Sequence, residues 1–175
     1  MIENKIDAVI REVPNFPKEG IDFKDITSLL LDSDLSSDIV DGFLTKLEGI
    51  HIDAIVGVES RGFLFGFLLA NKMGVPFIPI RKVGKLPGDT LSCKYELEYG
   101  FAEVEIHKND IKRDWNILVH DDLLATGGTA GAAAELINQL HANVVGFSFV
   151  VSLDFLNGRE ILRKYSNNII SLKDY

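Results

Sequence analysis

The stretch Ile117-Leu118-Val119-His120-Asp121-Asp122-Leu123-Leu124-Ala125-Thr126-Gly127-Gly128-Thr129 decides how the rest of the chain is read. Its apolar opening reads as a buried strand that stops at two consecutive carboxylates, Asp121 and Asp122. A short loop ending in Gly127, Gly128 and Thr129 then leads into a helical pattern over residues 130–140. Glycine-rich backbone at a helix N-terminus presents amides to an anion without help from a basic side chain. Carboxylates just upstream are poor phosphate ligands, but they accept hydrogen bonds from the cis-diol of a ribose or hold a magnesium ion with its waters. The segment therefore asks for a ligand with a phosphate at one end and a ribose in the middle. Competing phosphate motifs are missing. No Gly-x-Gly-x-x-Gly occurs, and Gly57 with Gly62 is followed by Phe63 where a P-loop has lysine.

Working outward, helices alternate with short apolar strands. Ile2, Ile6, Val9, Ile10 and Val13 follow a helical period that Pro14 and Pro17 should end. Asp34 or Ser36 is the expected cap of a second helix, whose apolar face is Ile39, Val40, Phe43, Leu44 and Leu47. Residues 54–58 read as a buried strand, 61–73 as a helix closed by Gly74, and 77–80 as a short strand. A loop rich in Gly, Pro and Lys spans 82–92. Two strands at 93–97 and 102–106 follow, joined near Tyr99 and Gly100, as an arm or flap outside the alternation. After the signature segment come a strand at 144–151, a helix at 159–164 and a last strand near 169–172. This order predicts an α/β fold, a mostly parallel sheet with helices on both faces. In such sheets ligands sit beyond the carboxyl ends of the strands. Glu59 to Arg61, Arg81 with Lys82, and Asp121 with Asp122 each follow a predicted strand, so the three segments should meet at one edge.

Bulk properties narrow the class. The chain has 175 residues, 46% hydrophobic and 25% charged, so it is expected to fold as one domain over 1–175. A net charge of -8 argues against a nucleic-acid partner. The single cysteine, Cys93, forms no internal disulfide, and the mixed charges of the first thirteen residues leave no signal-peptide core. The apolar runs at 63–70 and 144–153 are too short to cross a membrane. A cytoplasmic location is expected.

The strand, Asp121-Asp122 and the Thr126-Gly127-Gly128-Thr129 loop together resemble the phosphoribosyl-diphosphate signature of the type I phosphoribosyltransferases. Further segments resemble the adenine-using branch of that family: Val13-Pro14-Asn15-Phe16-Pro17, Gly20-Ile21-Asp22-Phe23-Lys24-Asp25-Ile26-Thr27, Glu59-Ser60-Arg61-Gly62-Phe63, Ile80-Arg81-Lys82-Val83-Gly84-Lys85-Leu86-Pro87-Gly88 and Leu97-Glu98-Tyr99-Gly100. The resemblance runs from about residue 10 to the C-terminus. It implies a purine-salvage transferase that converts adenine and 5-phosphoribosyl 1-diphosphate to AMP and diphosphate, with magnesium carried mainly by the substrate diphosphate and possible help from Asp121 or Asp122. It also implies a small amino-terminal hood at 1–32 that recognises the base, and a flexible β-flap at 82–106.

Roles follow from the same resemblance. Ala125, Thr126, Gly127, Gly128 and Thr129 would hold the 5-phosphate, and Asp121 and Asp122 the ribose hydroxyls. Arg61, Arg81, Lys82 and Lys85 would neutralise the diphosphate, with Arg61 and Lys85 assisting catalysis beside it. Glu98 matches the family's general acid at the purine N7. Ile21, Asp22, Phe23, Lys24 and Leu123 match positions around adenine. The chain departs from the commoner pattern at Lys24, where arginine is frequent, at Asp22, where a small apolar residue is, and at His120, where an aliphatic is usual. Another base (hypoxanthine, guanine, xanthine or orotate) is therefore an alternative, as is a nonenzymatic sensor of phosphoribosyl diphosphate. A homodimer is expected from the family. It is expected independently from the helix bearing Phe63, Phe65 and Phe67, which is apolar on more than one face.

Overall fold

The computed structural model describes residues 1–16, 19–20, 22–97 and 100–175. Its centre is a seven-stranded sheet in the order β5-β6-β4-β3-β7-β8-β9. Strands β3 (Ala54–Val58), β4 (Phe77–Lys82), β7 (Asn116–Leu124), β8 (Asn143–Ser152) and β9 (Ile169–Asp174) run parallel. Strand β3 lies in the middle, and all five of its residues are buried because helices cover both faces. Its alternate side chains divide between two cores. Ala54, Val56 and Val58 pack with α4 (Gly128–Gln139), whereas Ile55 faces α2 (Ser33–Lys46) and α3 (Gly62–Met73). Helix α4 anchors its side through Leu136 and Ile137, both fully buried. Each such side chain contributes about 1.5–3 kcal/mol. No helix among the described residues is long and apolar enough to cross a membrane.

Several boundaries differ from the sequence reading. The first helix, α1 (Ile2–Val9), stops short of Val13, and β1 (Arg11–Val13) instead pairs antiparallel with β2 (Phe23–Asp25). The change is set by distant partners, since the Arg11 amide donates to Ser28 Oγ at 2.9 Å and its guanidinium to Asp25 at 3.1 Å. Helix α2 is capped by Asp32, which accepts from the amides of Asp34 and Leu35, and not by Asp34 or Ser36. The Ser36 hydroxyl donates to the Leu29 carbonyl instead. Gly74 does close α3, in the left-handed region at φ 70°.

The hairpin of β5 (Thr90–Glu96) and β6 (Phe101–His107) is rooted in the main sheet. Strand β6 pairs antiparallel with the end of β4, Arg81 opposite Glu105 and Lys82 opposite Val104. Strand β7 does not stop at the carboxylates. It continues to Leu124 because β8 stays paired with it, Asp121 opposite Phe149 and Leu123 opposite Val151. The last helix, α5 (Gly158–Leu162), is shorter than the expected 159–164.

Candidate active site

The carboxyl ends of β3, β4 and β7 lie side by side, and each delivers one of the three segments singled out in the sequence. Asp121 and Asp122 belong to β7 itself, and Arg81 and Lys82 are the last residues of β4. Only residues 59–61 fall beyond their strand, as the expectation had it for all three.

Past β7 the chain turns into α4 through Gly127, which sits in the left-handed region at φ 84° with no side chain capping the helix. Asp121, residues 123–130 and Phe149 line a cavity of about 70 Å³. That is a little more than two waters' share of liquid volume, at about 30 Å³ each. It suits one tetrahedral anion. The back of this loop rests on the backbone of Gly158. A Cβ on Gly127 would lie 2.7 Å from the Gly158 carbonyl oxygen, and one on Gly158 would lie 2.2 Å from that of Ala125. Both positions therefore demand glycine for space. Gly158 was not singled out in the sequence, since nothing local ties it to a loop thirty residues earlier.

The two carboxylates are unequal. Asp122 is buried and accepts from Arg61 Nε at 2.5 Å. Asp121 accepts from the Asp122 amide at 2.8 Å. Its burial, and next the charge of Asp122, push its pKa well above the ordinary carboxylate range. Helix α3 reaches this pair closely because Gly62 has no side chain, and a Cβ there would lie 2.8 Å from Asp121 Oδ1. Among the described residues no group of three or more His, Cys, Asp or Glu side chains converges as a metal site.

Arg61 also lies over the ring of Phe23, 5.6 Å from its centroid, which brings the amino-terminal segment against the carboxylates. Phe23 packs edge-on against Phe16 at 5.3 Å. Lys24 pairs with Glu12 and stands 4.1 Å above the Tyr175 ring. Asp22 is exposed and Leu123 half-buried. Ile21, Glu98 and Tyr99 lie outside the described residues.

A second group of contacts organises the basic loop after β4. Glu59 accepts from Arg81 Nε at 3.3 Å and from the Lys82 amide at 2.7 Å. Glu105 of β6 is only 4% exposed. It accepts from the amides of Lys85 and Leu86 and from the Thr90 hydroxyl. These bonds, first that from the Leu86 amide, hold its pKa below the usual range. The side chains of Lys82 and Lys85 are exposed beside this frame. Neither Glu59 nor Glu105 had been given a role. In a strand reading Glu103 and Glu105 look alike, and only the fold shows that loop 83–89 covers Glu105.

His120 lies wholly in the core between α2 and α3, edge-on to Phe43 and against Gly66. Its Nδ1 pairs with Ser148 Oγ at 2.8 Å, and its Nε2 has no partner among the described residues. Burial lowers its pKa to about 4. It is a packed, neutral residue.

Comparison with known proteins agrees with this geometry. The phosphoribosyl transferase domain family matches residues 30–172. An adenine phosphoribosyltransferase of Clostridium botulinum is 50% identical over 159 residues, 91% of this chain and 92% of that protein. The crystal structure of the Thermoanaerobacter pseudethanolicus adenine phosphoribosyltransferase superposes with a TM-score of 0.95 at 46% identity, covering all of both chains. That of the Saccharomyces cerevisiae enzyme, complexed with an iminoaltritol bisphosphate and adenine, gives 0.92 at 43% identity, covering 98% of each.

Proposed function

This chain belongs to the adenine phosphoribosyltransferase family, and from that premise we propose that it joins adenine to 5-phosphoribosyl 1-diphosphate, giving AMP and diphosphate. The observation that carries the reading is the small anion-sized cavity of the Thr126-Gly127-Gly128-Thr129 loop, set directly beside the Asp121–Asp122 pair and Arg61. A phosphate in the cavity would place the attached ribose over the carboxylates.

In this reading the bond from adenine N9 to the ribose C1 forms as the bond from C1 to the diphosphate oxygen breaks. Positive charge grows on the ribose ring meanwhile. Burial, and next the charge of Asp122, raise the pKa of Asp121, and a developing cation beside it favours its ionised form. Arg61 uses Nε, one of five guanidinium donors, on Asp122. With Arg81, Lys82 and Lys85 it would stabilise the departing diphosphate. Proton balance sets the direction of work for Glu98. Adenine enters with one imidazole proton and AMP leaves with none, so in synthesis a carboxylate at N7 receives it, and the carboxylic acid returns it in the reverse reaction.

Magnesium fits as an ion brought by the diphosphate, because among the described residues no three acidic, histidine or cysteine side chains converge and Asp122 is engaged by Arg61. When bound it would supply charge neutralisation on the leaving group. The cytoplasm is the proposed place of work. We also assign a homodimer. Leu64, Phe67 and Leu68 are 39%, 56% and 43% exposed on one side of α3, while Phe65, Leu69 and Ala70 fill the core on the other. A second subunit over the exposed side is the simplest cover.

Incubating the protein with phosphoribosyl diphosphate, magnesium and each base separately tests the reaction. AMP should form from adenine, with hypoxanthine, guanine, xanthine and orotate poor substrates. Equal use of a 6-oxopurine would overturn the base assignment, and no turnover of any base would overturn the function.

A further inference from the structure

Thr129 at the end of the phosphate loop does not stand alone. Its hydroxyl lies 3.2 Å from the hydroxyl of Tyr95, which comes from β5 of the hairpin. The ring of Tyr95 is seated on the same loop. A Cβ added to Gly128 would meet Tyr95 Cδ2 at 3.4 Å and the Glu96 carbonyl oxygen at 3.5 Å. Tyr95 is half-buried and packs against the α4 core. The contact is therefore a built one between two elements and not a chance meeting of surface groups.

A threonine hydroxyl has one proton and two acceptor lone pairs, and so has a tyrosine's one proton to give. Across this contact either hydroxyl can donate to the other. A bound 5-phosphate offers only acceptors. For Thr129 to donate to it, the hydroxyl must turn its proton to the phosphate and take a proton from elsewhere. Tyr95 is placed to supply that second bond. A phenol is a stronger donor than an aliphatic alcohol, and a donor behind Thr129 strengthens the bond it makes in front.

The geometry points to Tyr95 as a positioning residue for the substrate's 5-phosphate, acting through Thr129. In the occupied site the chain of bonds would run from Tyr95 Oη to Thr129 Oγ1 to a phosphate oxygen. The same chain of bonds would tie β5, three residues before Glu98, to an occupied phosphate loop. This inference rests on the transferase reading, which supplies the phosphate.

Tyr95→Phe keeps the ring on Gly128 and removes only the hydroxyl. Affinity for phosphoribosyl diphosphate, measured by calorimetry with magnesium and no base, should fall about 3- to 10-fold, the range for one hydrogen bond. Its kcat/KM for that substrate should fall by the same factor, with KM for adenine and the melting temperature unmoved. In a Thr129→Val background, adding Tyr95→Phe should change affinity no further, because the relay is already cut. Wild-type affinity in Tyr95→Phe, or an undiminished loss when it is added to Thr129→Val, overturns the inference while wild-type turnover leaves the transferase reading intact. Failure of the wild-type protein to bind phosphoribosyl diphosphate at all overturns both.

Discussion

His120 should make the protein acid-sensitive in a way that can be isolated. The imidazole is fully buried among Phe43, Gly66 and Ser148, and burial lowers its pKa to about 4 against 6.5 for an exposed histidine. Its folded form is neutral, so the unfolded chain binds the extra proton as pH drops. Stability from this group is complete above pH 6.5, declines as pH falls, and stops declining below about 4. The integrated loss relative to pH 7 is about 1.2 kcal/mol at pH 5.5 and about 2.4 kcal/mol at pH 4.5. Asp121 works the other way. Its raised pKa means the folded state gains a proton as pH falls, which stabilises it. The total pH profile therefore mixes opposing slopes, and only a difference between variants reads His120. His120→Val with Ser148→Ala removes the titrating group without stranding the buried hydroxyl that now pairs with it. In urea unfolding at pH 7.0, 5.5 and 4.5, the wild type should lose stability relative to this variant by the amounts above toward acid. Parallel profiles would refute the argument, and so would an imidazole resonance of His120 that titrates near pH 6.5 in the folded protein.

Three further outcomes follow from the site. Asp121→Asn should slow AMP formation by about tenfold to a thousandfold, yet raise the melting temperature by about 2–4 °C for about 1 kcal/mol gained, because it removes the cost of desolvating a charge and then its repulsion from Asp122; a melting temperature below wild type would contradict this. Gly158→Ala should cost about 1–3 kcal/mol in urea unfolding and weaken binding of phosphoribosyl diphosphate, since its Cβ would press on the Ala125 carbonyl; unchanged values of both would show that the loop does not lean on Gly158. Phe67→Glu should convert a sedimenting dimer to monomer at micromolar concentration, and a wild-type protein that is already monomeric there would end the dimer assignment.

What was legible in the sequence was whatever a residue does through its own neighbours in the chain. The buried runs of β3 and β7, the Gly74 stop and the strand-to-helix turn at Gly127 each carry local chemistry, and their alternation with helices is what predicts a mostly parallel sheet. The boundaries that moved were set by remote partners. Residues 11–13 fit a helical period as well as a strand, and the choice falls to β2 and Ser28. Asp32, Asp34 and Ser36 are all capping residues, and the turn out of Leu31 decides among them. Strand β7 continues through two carboxylates because β8 goes on bonding to it.

The site divides along the same line. Groups that would touch substrate were visible as charged or glycine-rich segments, but the groups that hold them were not. Arg61 is held by Asp122, Arg81 by Glu59, and the backbone that carries Lys85 by Glu105. Glu59 and Glu105 look in sequence like two more solvated acids in a chain of net charge -8, and Asp122, marked there for the ribose, gave no sign of its bond to Arg61. Their placement gives that acidity a use. A site for a polyanion must keep several cations from one another's repulsion and from wandering before the ligand arrives, and carboxylates behind the cations do both. The cost is a weaker local positive field. It falls to the uncharged contacts, the loop amides backed by Gly158 and the Thr129 hydroxyl backed by Tyr95, to make up the difference at the phosphate.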